Sequence, residues 1–199
     1  MNPAEPNRNR LAESVSFFTN PALLVTATLV TVMYYYTDTA AKFWRGSLIG
    51  VALLVLPGLI YSASIWMKEG YVDLDLSNRQ ERIVPLMLSS LGALIGAYLI
   101  QTNLHNQKFV EMAFILVTLL IALTVITTVW KISLHTAALS ALVSLLVIFR
   151  GEAFAVGYLL LIPIAWARLT LNQHTRWQLV GGAALGLALT FLAAWFFHR

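Results

Sequence analysis

Seven stretches of nearly unbroken apolar residues, roughly 21–37, 46–66, 83–100, 110–129, 132–149, 153–167 and 178–197, alternate with short polar strings along the chain. A bilayer core takes about 20 apolar residues per helix, somewhat fewer when flanking side chains snorkel to the interface. Each stretch therefore predicts a membrane-spanning helix. The sixth is short and contains Pro163, which predicts a kinked helix or one enclosed by the bundle. Arg150-Gly151-Glu152 just before it is tight enough for an antiparallel helical hairpin. Residues 1–20 are polar, with Glu5, Arg8, Arg10 and Glu13, and read as an N-terminal tail that includes an interfacial helix at most. Residues 21–199 read as a single transmembrane helical domain.

Tryptophan marks the helix ends independently, because its ring prefers the headgroup level. Alternating the direction of the seven spans puts Trp66, Trp130, Trp166 and Trp177 at one face, X, and Trp44 and Trp195 at the other, Y. Face X then carries the N-terminal segment, the 67–82 loop, the 130–132 junction and the 168–177 loop.

Composition agrees with this tracing. The 199 residues are 59% hydrophobic and 11% charged, with a mean hydropathy of +0.75, whereas soluble domains carry about 25% charged residues. The expected fold class is all-α: a polytopic membrane bundle of about six to seven transmembrane helices. The absence of cysteine excludes disulfides, thiolate metal sites and a cysteine nucleophile. The net charge of +4 is spread over loops, so nucleic acid is not an expected partner. No Asp, Glu, Lys or Arg lies deep within a span, which argues against an ion-coupled transporter.

The candidate chemistry gathers on face X in three strings: Asp73 to Arg82, Lys131-Ile132-Ser133-Leu134-His135, and Arg168 to Gln178 with His174 inside it. Cleaving a phosphate ester without a metal takes an in-line nucleophile, donors for the equatorial oxygens and an acid for the leaving alkoxide. Histidine can be the nucleophile when its second ring nitrogen is held. Arginine suits the clamp because its planar fork matches phosphate oxygens. Ser133 and His135 open a helix, whose N-terminal N–H groups favour an anion.

In this order the strings resemble those of the type-2 phosphatidic acid phosphatase superfamily, K-x6-R-P, P-S-G-H and S-R-x5-H-x3-D, over roughly residues 73–186. Arg168 to His174 keeps the R-x5-H spacing, and Ile132-Ser133-Leu134-His135 keeps the Ser and His of P-S-G-H. Arg79-Gln-Glu-Arg82-Ile-Val-Pro85 supplies basic residues and a proline at altered spacing. The resemblance implies a lipid phosphatase acting through a phosphohistidine. His174 would be the nucleophile and His135 the general acid, with Arg168, Ser133, Arg82 and Arg79 holding the phosphate. Gln178 stands at the family's Asp position, where it would orient the His174 imidazole, and Leu134 stands at a Gly. Lys131, one helical turn from His135, is added to the substrate-binding set on spacing alone.

No metal or cofactor is implied. The expected partners are a lipid phosphate and the surrounding membrane lipids, with homo-oligomerisation left open, and the expected location is the cell inner membrane. Two alternatives stand beside the phosphatase. Asp73-Leu-Asp75 followed by Arg79 and Arg82 faintly resembles the magnesium-diphosphate stretch of UbiA-type prenyltransferases, without the second acidic motif of that family. A non-catalytic lipid-phosphate-binding protein on the phosphatase fold is the other, favoured by Gln178 and Leu134. Eight Lys and Arg on face X against five on Y would put X in the cytoplasm; setting aside those of the proposed site removes that bias and leaves orientation open.

Overall fold

The computed structural model describes residues 5–69 and 78–197, without the side chains of residues 5–8, 66, 68 and 69. Among them run nine α-helices: α1 (Glu5–Phe18), α2 (Pro21–Tyr36), α3 (Ala40–Gly50), α4 (Leu56–Glu69), α5 (Ile83–Leu104), α6 (Gln107–Val129), α7 (Leu134–Arg150), α8 (Leu161–Thr170) and α9 (Arg176–Phe197). A π-helical turn, Val51–Val55, joins α3 to α4, while 3-10 segments Gln80–Arg82 and Glu152–Leu160 lead into α5 and α8. The protein is an all-helical, polytopic membrane bundle, with six helical stretches long and apolar enough to span. The seventh, α7, has 17 residues.

Short polar residues set the helix starts. Asn20 accepts from the Ala22 N–H at 2.9 Å with Pro21 in the first turn of α2. Asn106 accepts from the Phe109 N–H at 3.0 Å, and Ser133 from the Thr136 N–H at 3.4 Å. Each satisfies a donor that a helix start leaves open. The π turn has a cause two residues beyond it: Pro57 lacks an N–H, and one wide turn ahead of it lets α3 and α4 continue as one rod.

The sixth span is mostly exposed, not enclosed by the bundle as one expectation had it, and its 3-10 segment lengthens it. Nine 3-10 residues rising about 2.0 Å each, then ten α-helical ones at about 1.5 Å, reach about 33 Å. That matches a hydrocarbon core of about 30 Å.

At about 25 Å, α7 is too short for the same purpose in contact with lipid. It sits inside the bundle, and its two ends are tied to opposite faces. At face X, Thr136 Oγ1 donates to the Leu179 carbonyl at 2.9 Å. At face Y, Tyr36 Oη donates to the Phe149 carbonyl at 2.7 Å, and the Arg150 guanidinium lies 3.8 Å above the Tyr35 ring. It therefore runs from the X end of the bundle to the Y end.

Around α7 the core is closed by Leu29 and Met33 of α2, Ile100 of α5, Met112 and Ile115 of α6, and Leu145 of α7 itself. Leu91, Leu94, Ile95 and Tyr98 of α5 point outward, as a lipid-facing surface requires. Trp44, Trp130, Trp177 and Trp195 are exposed near helix ends, in keeping with the belt; the Trp66 side chain lies outside those described. The expected polar tail is helical from Glu5. It packs along α8 through buried Ala12 and Ser16 and leaves Leu11, Phe17 and Phe18 exposed.

Candidate functional site

Two local motifs fix His174. The end of α8 closes with the Gln173 N–H on the Arg168 carbonyl at 3.0 Å and the Asn172 N–H on the Leu169 carbonyl at 3.1 Å. Asn172 takes the left-handed φ of 53° that such an ending needs, a conformation asparagine tolerates better than most residues. Two residues later α9 begins with a reciprocal cap. The Thr175 N–H donates to Gln178 Oε1 at 3.0 Å, and the Gln178 N–H donates to Thr175 Oγ1 at 3.4 Å. His174 is held between these stops, 7% exposed, and folds back so that Arg168 Nε donates to its Nδ1 at 3.5 Å. The R-x5-H spacing is thus the span from the last turn of one helix to the residue before the cap of the next.

The expected role of Gln178 is corrected by this geometry. Its side-chain carbonyl accepts from a backbone donor at its own helix start instead of orienting the imidazole. Thr175-Arg-Trp-Gln178 is a T-x-x-Q capping sequence, and the local bond between neighbours wins.

Helix α9 lies directly on α7. A Cβ at Gly182 would collide with the Ser133 carbonyl, and one at Gly186 with the Ala137 carbonyl, so only glycine permits the approach. The Ser133 N–H then donates to the Gln178 carbonyl at 3.2 Å, which joins the second and third strings. Arg82 joins the first to them: 2% exposed, it donates from Nη1 to the Ile132 carbonyl at 3.2 Å.

Positive groups converge on His174. Its pKa is pushed down from 6.5 to about 3, first by burial and then by Arg168, Arg82, Lys131 and His135. Arg168, His135, Lys131 and Arg82 therefore lie close enough to the imidazole to act on its charge. The ring is neutral at physiological pH. Because Nδ1 accepts from Arg168, the ring proton resides on Nε2, which is buried and makes no hydrogen bond among the described residues.

Ser133 is fully buried beside this cluster at the start of α7, where it caps the helix. Arg79 is not among the charges acting on His174. It is half-buried, and its carbonyl accepts the Arg82 N–H in the turn before α5. Asp73 and Asp75, on which the prenyltransferase alternative rests, lie outside the described residues.

The sequence reading missed Ser16. Its hydroxyl in α1 accepts from Arg168 Nη1, so the N-terminal helix helps hold the buried guanidinium. Nothing in the spacing of the strings links residue 16 to residue 168; the only signal is a serine on the apolar side of an amphipathic segment.

Beneath Arg82 and His135 opens a cavity of about 150 Å³ among α2, α4, α5, α6 and α7. Asn20, Arg82 and His135 line it at the X end, and Val25, Leu54, Val55, Leu116 and Leu120 line its apolar wall. The arrangement joins a cationic cluster at the interface to a greasy recess within the bundle. No family model matches the chain, and comparison with characterised proteins and with solved structures likewise yields no match.

Proposed function

We propose that the protein is a membrane lipid phosphatase. Its reading of the site is that of a divergent type-2 phosphatidic acid phosphatase, which hydrolyses a phosphomonoester or diphosphate of a phospholipid or polyprenyl lipid. The supporting observation is the convergence of Arg168, Arg82, Lys131 and His135 on a buried, neutral His174. A dianionic phosphate suits that charge, and a neutral imidazole has the lone pair that nucleophilic attack needs.

In this mechanism Arg168 turns from His174 Nδ1 to the phosphate oxygens, with Arg82, Lys131 and the Ser133 hydroxyl alongside. The ring proton moves to Nδ1, and Nε2 attacks phosphorus. The P–O bond to the lipid breaks, and His135 in its protonated form gives a proton to the departing alkoxide. A water, its proton taken by His135, then attacks the phosphohistidine and releases inorganic phosphate. No step uses a metal.

A second reading, binding of a lipid phosphate without turnover, has its own supporting observations. Gln178 is engaged by Thr175, and Nδ1 of His174 receives Arg168 in place of giving a proton to an acceptor. With the proton on Nε2 the ring is a phosphate donor rather than a nucleophile.

Phosphate release by the detergent-purified chain separates the two. Phosphatidate, phosphatidylglycerol phosphate and polyprenyl mono- and diphosphates are the substrates, with EDTA present. Release that persists in EDTA and disappears in His174→Ala is the expected outcome. Full activity of His174→Ala would overturn the histidine mechanism, and binding without release would favour the second reading.

A further inference from the structure

The cavity below the cationic cluster is small, about 150 Å³, and its size bears on which lipid can enter. It rests on the phosphate-site reading, since Arg82 and His135 belong both to the cluster and to the cavity wall. On α5 the lining residues Arg82, Pro85, Leu86 and Ser89 follow one helix face inward. Ser89 lies seven residues beyond Arg82, about 10 Å deeper at about 1.5 Å per residue. Lining residues Leu54 and Leu116 belong to the middle stretches of other spans. The space is therefore elongated along the bundle, with its polar end at the headgroup level.

Small side chains make the room. Ala22, Gly58, Ser62 and Ser89 stand where α2, α4 and α5 face the recess. The Ser62 hydroxyl is folded back onto the Gly58 carbonyl at 3.0 Å, so that part of the wall presents little polarity.

About 150 Å³ is also the size of an engineered apolar core cavity that admits one benzene ring, which is about six carbons. Drawn out over at least about 10 Å, such a volume takes the first carbons of one chain. Two acyl chains diverging from a glycerol need twice that. The occupant that fits both ends has an anionic phosphate for Arg82 and His135 and a single hydrocarbon chain for the Val25–Leu120 recess.

We propose that this cavity selects single-chain lipid phosphates, a prenyl or monoalkyl phosphate, over diacyl ones, the recess, closed on one side and open on the other, holding the chain segment next to the phosphate. The remainder of the chain leaves sideways into the bilayer between the helices.

The test is equilibrium binding of radiolabelled geranylgeranyl phosphate to the detergent-purified full chain, with unlabelled oleyl phosphate, dioleoyl phosphatidate and inorganic phosphate as competitors. In the unaltered protein, oleyl phosphate should displace the label at least about tenfold better than phosphatidate, the difference expected when a few buried methylenes lose their contacts. Equal competition by phosphatidate overturns the proposal with no variant needed. Val25→Phe and Ser89→Leu fill the recess from two different helices. Each should weaken geranylgeranyl phosphate binding at least about tenfold while leaving inorganic phosphate affinity unchanged. Undiminished chain binding in two variants that melt like the parent overturns it as well. The underlying reading fails separately: inorganic phosphate that does not bind, or binds equally to Arg82→Ala and His174→Ala, removes the phosphate site itself and the proposal with it.

Discussion

His174 is neutral where most exposed histidines are half-protonated near neutral pH, and this has a measurable sign. The unfolded imidazole takes a proton near pH 6.5, while the folded one resists it until about pH 3. Between those values the unfolded state binds more protons, so stability is full above about pH 6.5 and falls as pH drops toward 3. Melting temperature should therefore decline more steeply from pH 7 to pH 4 in the native chain than in His174→Gln. Parallel curves would remove the burial-and-charge account of the site. Saturating orthovanadate, which brings negative charge among the same groups, should flatten the native slope. Ser16→Ala gives a second check at this scale. Losing the hydroxyl that faces Arg168 Nη1 should destabilise the protein by about 1–3 kcal/mol. It should also lower affinity for phosphate, because the guanidinium loses one of the groups that hold it.

Among the helices, the α7–α9 contact and the cap at Thr175 determine where the site residues stand. Gly182→Leu would force α9 off the Ser133 carbonyl and should cost about 2–3 kcal/mol in stability. Phosphate release should fall with it, since Ser133 sits at that contact and His135 follows it on the same helix; unchanged release in a stable Gly182→Leu protein would contradict the packing described. Thr175→Ala should cost about 1 kcal/mol by removing the hydroxyl that accepts the Gln178 N–H in the reciprocal cap. The elements were largely legible in the sequence because apolar run length and tryptophan placement report directly on the bilayer. The sixth span was legible as short, but its 3-10 stretch was not, since no residue pattern marks the extra rise. Gathering Arg82, Lys131, His135, Arg168 and His174 at one face followed from counting helices. The partner of Gln178 did not follow from that reasoning, although T-x-x-Q is a local signal that outweighs a resemblance at long range. Ser16 was out of reach, because α1 meets α8 only through tertiary packing.

For the whole molecule, the topology makes a prediction that the absence of cysteine renders clean. Single cysteines at Ser14 and Asn172 should react with a membrane-impermeant thiol reagent from one side of the membrane, and those at Asn103 and Glu152 from the other. Any exchange between the pairs would separate the strings by the bilayer and dissolve the site. The enclosed position of α7 also bears on how the protein is made. A 17-residue helix that is sheltered on most sides is a poor passenger for insertion on its own, and its glycine-bearing companion α9 leaves the ribosome only after it. The proposed anion site thus comes into being only once α9 has joined α7. A chain stopped after Thr175 should be an inert, protease-sensitive precursor, and co-expressing the missing helix as a separate peptide should restore its resistance.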